Sequence, residues 1–315
     1  MEVYSLLLPL YVAALLLGLL IFHLLLSTIS FTVLCHYILL IILSHQELSK
    51  RGIEICAEEL AAEIRKEISA CPSLRRISMV GMSLGGLISR YAAKILYDFD
   101  KGTIAGLLPD TFMCIASPFL GVKSYTFFPI PRFLEHMIGN IVGDTGRELF
   151  LMGDRKELVY RMNTADEFLQ PLRSFRNRRL YAAAENDFMV TLQTAAILDE
   201  KEAQDIRTES KNKVGIVVVS NENRSEEGKS SEPISSSESM AKSEESKDIQ
   251  KEMRDSLNSL GWSKVYVNFG GVLPLAHLQI CANERWPGWV TGMMGVDAGK
   301  EVMKHGADYL CTSKQ

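Results

Sequence analysis

The strand-to-helix turn at residues 81–85 constrains the fold of this chain more than any other feature. A short apolar run over 76–80 precedes Gly81-Met-Ser-Leu-Gly85, and apolar residues at helical spacing follow it. A turn this tight places Ser83 in a strained backbone conformation with its oxygen exposed, and a Cβ at either glycine would clash with the chain passing beside it. The pattern therefore predicts a buried strand, a sharp turn and a helix whose amino end is directed at Ser83.

This arrangement is typical of the nucleophile elbow of α/β-hydrolases, in which the central serine is the attacking group. The amino end of the following helix would allow the Leu84 N–H to stabilise a developing oxyanion. The short pattern alone has little specificity in a chain with 22 glycines, since roughly one such chain in ten contains it by chance. A Gly-Ser turn between two core elements is the alternative, and the flanking strand and helix patterns favour the elbow.

Length and composition allow one sizeable α/β domain with a full core. The 315 residues carry a net charge of −4 and no basic cluster, so nucleic acid is not expected as a partner. The cysteines form no Cys-x-x-Cys pair and have no histidine at zinc-like spacing, which predicts no metal site. They are residues 35, 56, 71, 114, 281 and 311.

The amino-terminal region is strongly apolar. No Asp, Glu, Lys or Arg occurs from Tyr4 to Ser44, and about twenty apolar residues span a bilayer as a helix. A cleaved signal peptide fits less well, because no basic residue precedes the run and the run is longer than a usual signal core. We predict a membrane-anchoring helix near 5–27, within an anchor segment 1–35. A buried apolar helix and a leader from a wrongly chosen start are the alternatives.

The next apolar run, 36–43, has two interpretations that periodicity does not separate. It fits the end of a second membrane span across 29–44, or a buried parallel strand. Lys50 and Arg51 follow the apolar region and favour a cytoplasmic location for the rest of the chain.

Beyond residue 50 the chain alternates helix and strand patterns, which predicts a mostly parallel sheet flanked by helices. An amphipathic helix over 52–70 precedes the elbow strand. Further segments with the composition of buried strands are 111–116, 179–184 and 264–269, and a helical segment over about 293–310 follows them.

Two regions interrupt this alternation. Residues 118–175 include a kinked apolar stretch around Pro129 and Pro131, which fits either a lid over a lipid site or a plain helical insertion. From 221 to 258, Ser, Glu and Lys dominate with almost no large apolar residue, so we predict a disordered insertion. The hydrolase domain is thus predicted in two parts, 36–220 and 259–315.

Serine acyl chemistry needs a nucleophile, a base that takes its proton and an acid that orients the base. In α/β-hydrolases these residues occur in the order serine, acid, histidine, each after a strand. Ser83, Asp187 and His277 follow this order, and each comes just after a segment with strand character. Glu185 and Asp199 are competing candidates for the acid.

The other histidines fit the role of base less well than His277. They lie in apolar runs (His23 and His36), before the nucleophile or the acid (His45 and His136), or in the last helix (His305). His277 alone lies in a predicted loop after the final strand, where a structural histidine is the alternative.

Five segments of the chain resemble, in the same order, the DUF676 family of serine esterases and lipases. They are the helix 52–64, the elbow 81–92, the turn Ala116-Ser-Pro-Phe-Leu-Gly121, the acid segment 186–197 and the histidine segment 275–280. The resemblance covers roughly 36–198 and 262–311. It implies an α/β-hydrolase fold with Ser83 as nucleophile, Asp187 as acid and His277 as base, and it implies a sheet strand at 36–43.

The chain departs from the family pattern in two places. Phe119 occupies the position of a family histidine, which is expected to alter the rim of the site. The family's early His-Gly segment, which supplies a second oxyanion N–H, has no counterpart in residues 1–35. Losing one such donor costs about 10²–10³ in rate, and the sheet would also lack its first strands.

We therefore predict an α/β-hydrolase-fold serine esterase that is anchored to a membrane and cleaves lipid esters through Ser83, Asp187 and His277. The Leu84 N–H would stabilise the oxyanion, Gly81 and Gly85 would form the elbow, and the chemistry needs no cofactor. The alternative is a membrane-tethered hydrolase-fold binding protein with little or no activity, suggested by the missing His-Gly segment. The sequence does not identify any protein partner.

Overall fold

The computed structural model describes residues 37–41, 52–122, 156–221, 238–271, 275–282, 295 and 297–312. The predicted membrane helix near 5–27 and the kinked apolar stretch around Pro129 lie outside these residues. Within the described ranges, none of the helices combines the length and apolar character needed to cross a bilayer.

The strands belong to one six-stranded sheet and one short hairpin. The sheet strands are β1 Tyr37–Ile41, β2 Arg76–Met82, β5 Leu108–Ile115, β6 Asn177–Ala183, β7 Gly215–Asn221 and β8 Ser263–Asn268; the hairpin strands are β3 Tyr97–Asp98 and β4 Thr103–Ile104. The sheet order is β1-β2-β5-β6-β8-β7, with β7 antiparallel to β8 and all other neighbours parallel. The expectation of a mostly parallel sheet is confirmed.

Helices connect the parallel strands, as crossovers between parallel neighbours require. The described helices are α1 Ile53–Ala70, α2 Leu84–Leu96, α3 Lys156–Thr164, α4 Asp166–Ser174, α5 Leu192–Ala196, α6 Glu200–Ser210, α7 Glu238–Asn258, α8 Ala276–Ile280 and α9 Asp297–Thr312.

Alternating side chains of the central strands enter different cores on the two faces of the sheet. On β5, Phe112 and Cys114 join a cluster with residues of α1 and α2, whereas Met113 and Ile115 join a cluster with residues of α8 and α9. Both faces are therefore covered, which explains why the second half of this strand, from Phe112 to Ile115, is a continuous apolar run in the sequence.

Two predictions for the first and middle parts of the chain need correction. Tyr37–Ile41 forms β1, paired in parallel with β2, so the second membrane span across 29–44 is wrong at these residues and the strand interpretation of 36–43 holds there. The disorder predicted for 221–258 is wrong over Glu238–Asn258, which is helix α7. Met253 and Leu257 are fully buried on this helix. Their spacing of four residues forms a narrow apolar stripe that the overall composition conceals.

The register of the sheet brings three loops to one edge. Val80 of β2 lies beside Met113 of β5, and Ala183 of β6 lies beside Val267 of β8. Because parallel strands end at the same edge, the residues that follow β2, β6 and β8 meet there.

Candidate active site

Ser83 lies at the turn between β2 and α2 and has the strained backbone that the motif predicts. Its φ is 51° and its ψ is −127°, values that a non-glycine residue adopts only when the surrounding structure enforces them. Its N–H donates to the carbonyl of Ile115, at an N–O distance of 2.8 Å. This hydrogen bond fixes the turn to the end of the neighbouring strand β5.

Glycines surround this turn because backbone segments pass very close to one another. A Cβ on Gly81 would lie 2.4 Å from the Cα of Gly86 and 2.7 Å from the Gly85 carbonyl oxygen. A Cβ on Gly86 would lie 2.2 Å from the Ser117 hydroxyl oxygen. The structure adds Gly86, one residue beyond the motif, as a position with no room for a side chain.

Asp187 follows β6, and the structure buries it at the edge of the sheet with an exposed fraction of 4%. Its Oδ2 lies 2.8 Å from His277 Nδ1. Its Oδ1 accepts backbone N–H groups from Met189 at 3.0 Å and Val190 at 2.8 Å. The two carboxylate oxygens therefore have different partners, which fixes the plane of the carboxylate relative to the imidazole.

The competing acid Asp199 has a structural role instead. It is the N-cap of α6, where its side chain accepts the Glu202 N–H and the Glu202 side chain accepts the Asp199 N–H. This reciprocal capping box accounts for Asp199 without any part in the site.

His277 completes a hydrogen-bonded line. Its Nε2 lies 3.0 Å from Ser83 Oγ, and its Nδ1 contacts Asp187. The exposed fraction of His277 is 1%, so the imidazole is shielded from bulk water. The sequence placed this residue in a loop; it lies on the short helix α8, Ala276–Ile280.

The other histidine described by the structure, His305, has a different partner. It lies on α9, and its Nδ1 is 2.9 Å from the Tyr181 hydroxyl. Histidines 23, 36, 45 and 136 lie outside the described residues.

Leu84, the predicted oxyanion donor, is the first residue of α2 and directly follows Ser83. The first N–H groups of a helix have no acceptor within the helix and carry the positive end of its dipole. Leu84 is half-buried, so a backbone donor of the expected kind lies beside the serine.

A hydrogen-bonded arrangement of the kind used in acyl transfer is thus assembled from residues that follow three strands at one edge of the sheet. An aspartate orients an imidazole, and the imidazole contacts a serine hydroxyl held on a strained turn. Among the described residues, no group of three or more His, Cys, Asp or Glu side chains could hold a metal ion.

A model of a known protein family matches this chain. The family model described as "Putative serine esterase (DUF676)" matches residues 37–201, which include Ser83 and Asp187. This chain belongs to the DUF676 family.

Curated relatives carry names consistent with the family. The chain is 32% identical over 154 residues to "Putative lipase ROG1" of Saccharomyces cerevisiae, a match covering 48% of this chain and 22% of that protein. It is 33% identical over 160 residues to "Putative lipase YDL109C" of the same yeast, covering 48% of this chain and 23% of that protein. The chain thus matches less than a quarter of the length of either relative. No solved structure matches it.

Phe119, which stands where DUF676 proteins have a histidine, does not form the rim of the site as expected. It is fully buried, with the Arg90 guanidinium carbon 5.0 Å from its ring centroid and the Trp262 ring at 5.5 Å. Burial lowers the pKa of Arg90 to about 9. Phe119 therefore packs in the core of this chain instead of lining the rim of the site.

Asn186 is a residue of this DUF676 site that the sequence analysis missed. It immediately precedes the acid and has a φ of 62°. Asparagine adopts this left-handed conformation more readily than most residues, so an Asn-Asp pair at a strand end was an available signal of a sharp turn.

Proposed function

We propose that this DUF676 member is a serine carboxylic-ester hydrolase that forms an acyl-enzyme intermediate on Ser83. The observation that carries the proposal is the continuous line of hydrogen bonds from Asp187 through His277 to Ser83 Oγ. The strained elbow supports it, because such strain is retained where a side chain must be held in one position.

In the acylation half-reaction, Ser83 Oγ attacks the ester carbonyl carbon while its proton passes to His277 Nε2. Asp187 Oδ2 accepts the Nδ1–H and stabilises the imidazolium that forms. The Leu84 N–H donates to the carbonyl oxygen as it gains negative charge. The C–O bond to the leaving alcohol then breaks, and that alcohol takes the proton from Nε2.

In deacylation, water takes the place of the alcohol. His277 Nε2 accepts a proton from the water as its oxygen attacks the acyl carbon, and Ser83 leaves with that proton restored to Oγ. The products are a carboxylic acid and the free serine, so the cycle requires neither redox chemistry nor a cofactor.

The substrate class we propose is a lipid ester. The curated relatives named as lipases support this class. The apolar segment 1–35 supports it independently, because a membrane anchor near 5–27 would hold the domain beside its substrate. Lys50 and Arg51 favour the cytoplasmic side of that membrane.

Labelling with a fluorophosphonate probe tests the proposal. Full-length protein in membranes should be labelled, Ser83→Ala should abolish labelling, and the matched control Ser69→Ala should not change it. Ser69 is exposed and donates only to the Arg65 carbonyl on α1, at 2.8 Å. Folded wild-type protein that takes up no probe would refute an activated serine.

The second candidate is a hydrolase-fold binding protein with little turnover. The specific observation is the absence of a His-Gly pair in residues 1–35, the region where the family's second oxyanion donor is expected. One missing donor slows the reaction by about 10²–10³. Probe labelling combined with no hydrolysis of any ester tested would favour this candidate.

A further inference from the structure

We infer that Asn186 is a positioning residue for His277. It joins the loop that carries the acid to the segment that carries the base. The catalytic consequence rests on the proposed ester hydrolase function, whereas the positioning itself is independent of activity.

The backbone of Asn186 contacts the residue next to the imidazole. Its carbonyl oxygen accepts the N–H of Ala276, at an N–O distance of 3.1 Å. Ala276 is the first residue of α8 and directly precedes His277. This hydrogen bond therefore fixes the start of the helix that presents the imidazole.

The side chain of Asn186 makes a second bond to the same segment. Its Nδ2 donates to the carbonyl oxygen of Gly271, at 2.5 Å. Gly271 and Ala276 lie on the two sides of residues 272–275. One residue thus contacts both ends of the segment that leads into His277, and it is the sequence neighbour of the acid that His277 faces.

The left-handed backbone of Asn186 makes the two contacts compatible. With φ at 62°, its peptide groups are turned relative to the extended strand that ends at Ala183. Glycine accepts this conformation without strain, whereas alanine does not. Backbone geometry and side-chain bonding can therefore be separated by substitution.

Residues on both sides of 272–274 have further contacts, which limit how far the residues around His277 would move. Asn268 accepts the Gly270 N–H at 2.9 Å and donates to the Ser210 carbonyl at 2.9 Å. On α9, a Cβ at Gly299 would meet the Gln279 carbonyl oxygen at 1.8 Å, so α9 packs closely on α8. Loss of the Asn186 side chain should loosen the His277 segment without unfolding it.

A small displacement of the His277 imidazole is expected to have a large effect on the reaction rate. Proton transfer needs His277 Nε2 within hydrogen-bond reach of Ser83 Oγ, and a displacement of about 1 Å can cost about 10²-fold in rate. The same displacement has little effect on global stability, because one exposed hydrogen bond contributes little to the free energy of unfolding.

The test uses two variants of Asn186 and one matched control. Asn186→Gly accepts the left-handed backbone without strain and removes the whole side chain, including the amide. Asn186→Asp keeps the shape but replaces the donor with an oxygen facing the Gly271 carbonyl. The control Asn177→Asp makes the same change at the opposite end of β6, where Asn177 donates to Thr111 at 3.4 Å.

We expect the rate constant for fluorophosphonate labelling to fall about 10- to 100-fold in Asn186→Gly and at least as far in Asn186→Asp. Asn177→Asp should label at the wild-type rate. With an ester substrate, kcat should fall while KM stays within about twofold. A purely structural role would instead lower the labelled fraction and leave the rate constant of the folded protein unchanged, which would overturn the inference.

A second measurement keeps this inference separate from the proposed function. In protein labelled with ¹⁵N-histidine, the Nδ1–H resonance of His277 reports its hydrogen bond to Asp187, and its loss in His277→Gln assigns it. We expect the resonance to weaken or shift in both Asn186 variants and to be retained in Asn177→Asp. An unchanged resonance in Asn186→Gly overturns the inference, even if the wild-type protein hydrolyses no ester.

Discussion

At the scale of single residues, the two oxygens of Asp187 have separate partners. Oδ1 accepts two backbone N–H groups, from Met189 and Val190, while Oδ2 faces His277 Nδ1. An amide at this position would keep its oxygen with the two N–H donors, because its NH₂ group cannot accept from them. The NH₂ group would then face the imidazole.

This geometry predicts the effect of Asp187→Asn. The amide donates to Nδ1, so the proton of the neutral imidazole moves to Nε2, where it blocks proton transfer from Ser83. We expect ester hydrolysis to fall about 10⁴-fold with little change in stability. The matched control is Glu185→Gln, two residues earlier, which should retain activity. Equal losses in steady-state kcat for both variants would contradict the assignment of the acid.

His305 provides a second residue-scale prediction, concerning stability and pH. Burial, and next the Arg179 guanidinium, lower the pKa of His305, while Asp308 opposes them. Its Nδ1 contacts the Tyr181 hydroxyl, and burial raises the pKa of Tyr181 to about 12. The fold therefore favours the neutral imidazole beside a neutral phenol.

The direction of the pH dependence of stability follows from the linkage between protonation and folding. A histidine with a lowered pKa in the native state contributes its full stabilisation above its unfolded-state pKa, and that stabilisation is lost progressively as pH falls from that value through the lower native-state pKa. We expect the free energy of unfolding to decrease between about pH 7 and pH 5, and to decrease less in His305→Gln. Urea titrations of both proteins across this range measure the difference. Identical slopes would show that His305 does not contribute.

At the scale of secondary structure, helix α7 shows how a polar segment can still belong to the core. Met253 and Leu257 are fully buried, and Met253 Sδ lies 3.4 Å from Asn163 Nδ2 on α3. The Tyr160 hydroxyl of α3 also donates to Glu252, at 2.9 Å. A few contacts on one stripe therefore fix the carboxyl-terminal half of α7 to the domain.

Shortening a buried side chain of this stripe should destabilise the whole domain. Met253→Ala removes a fully buried side chain, and we expect a loss of about 2–5 kcal/mol in the free energy of unfolding. The control Lys251→Ala changes an exposed residue of the same helix and should stay within about 0.5 kcal/mol of wild type. If both variants match the wild type in denaturant titrations, α7 does not pack as described.

At the scale of the whole molecule, the sequence predicted the features that depend on local patterns. The alternation of apolar strands and amphipathic helices was sufficient to predict a mostly parallel sheet. The order of serine, acid and histidine left Glu185 and Asp199 as competing acids, and the resemblance to the DUF676 family selected Asp187, so that the three chosen residues are ones that the fold brings together. Their contacts span 90 and 194 positions of the sequence. A local sequence pattern cannot show that residues this far apart are in contact, because the contact depends on the fold.

The features that the sequence did not predict depend on tertiary contacts. The steric role of Gly86 comes from its contact with Ser117, on the loop after the neighbouring strand. The role of Asn186 comes from its bonds to Gly271 and Ala276, 85 and 90 positions away. Helix α7 was missed because a segment average hides the few buried residues that determine its packing.

The wide separation of the three site residues along the chain also has a consequence for biosynthesis. A ribosome produces Ser83 first, Asp187 about a hundred residues later and His277 last. At synthesis rates of ~5–20 residues per second, the interval between Ser83 and His277 lasts about 10–40 seconds. Throughout that interval the nascent polypeptide carries an elbow serine with no imidazole to accept its proton. Under the proposed mechanism, hydrolytic activity awaits translation of the carboxyl-terminal part, and we expect a prematurely terminated product that stops before His277 to be inert toward esters.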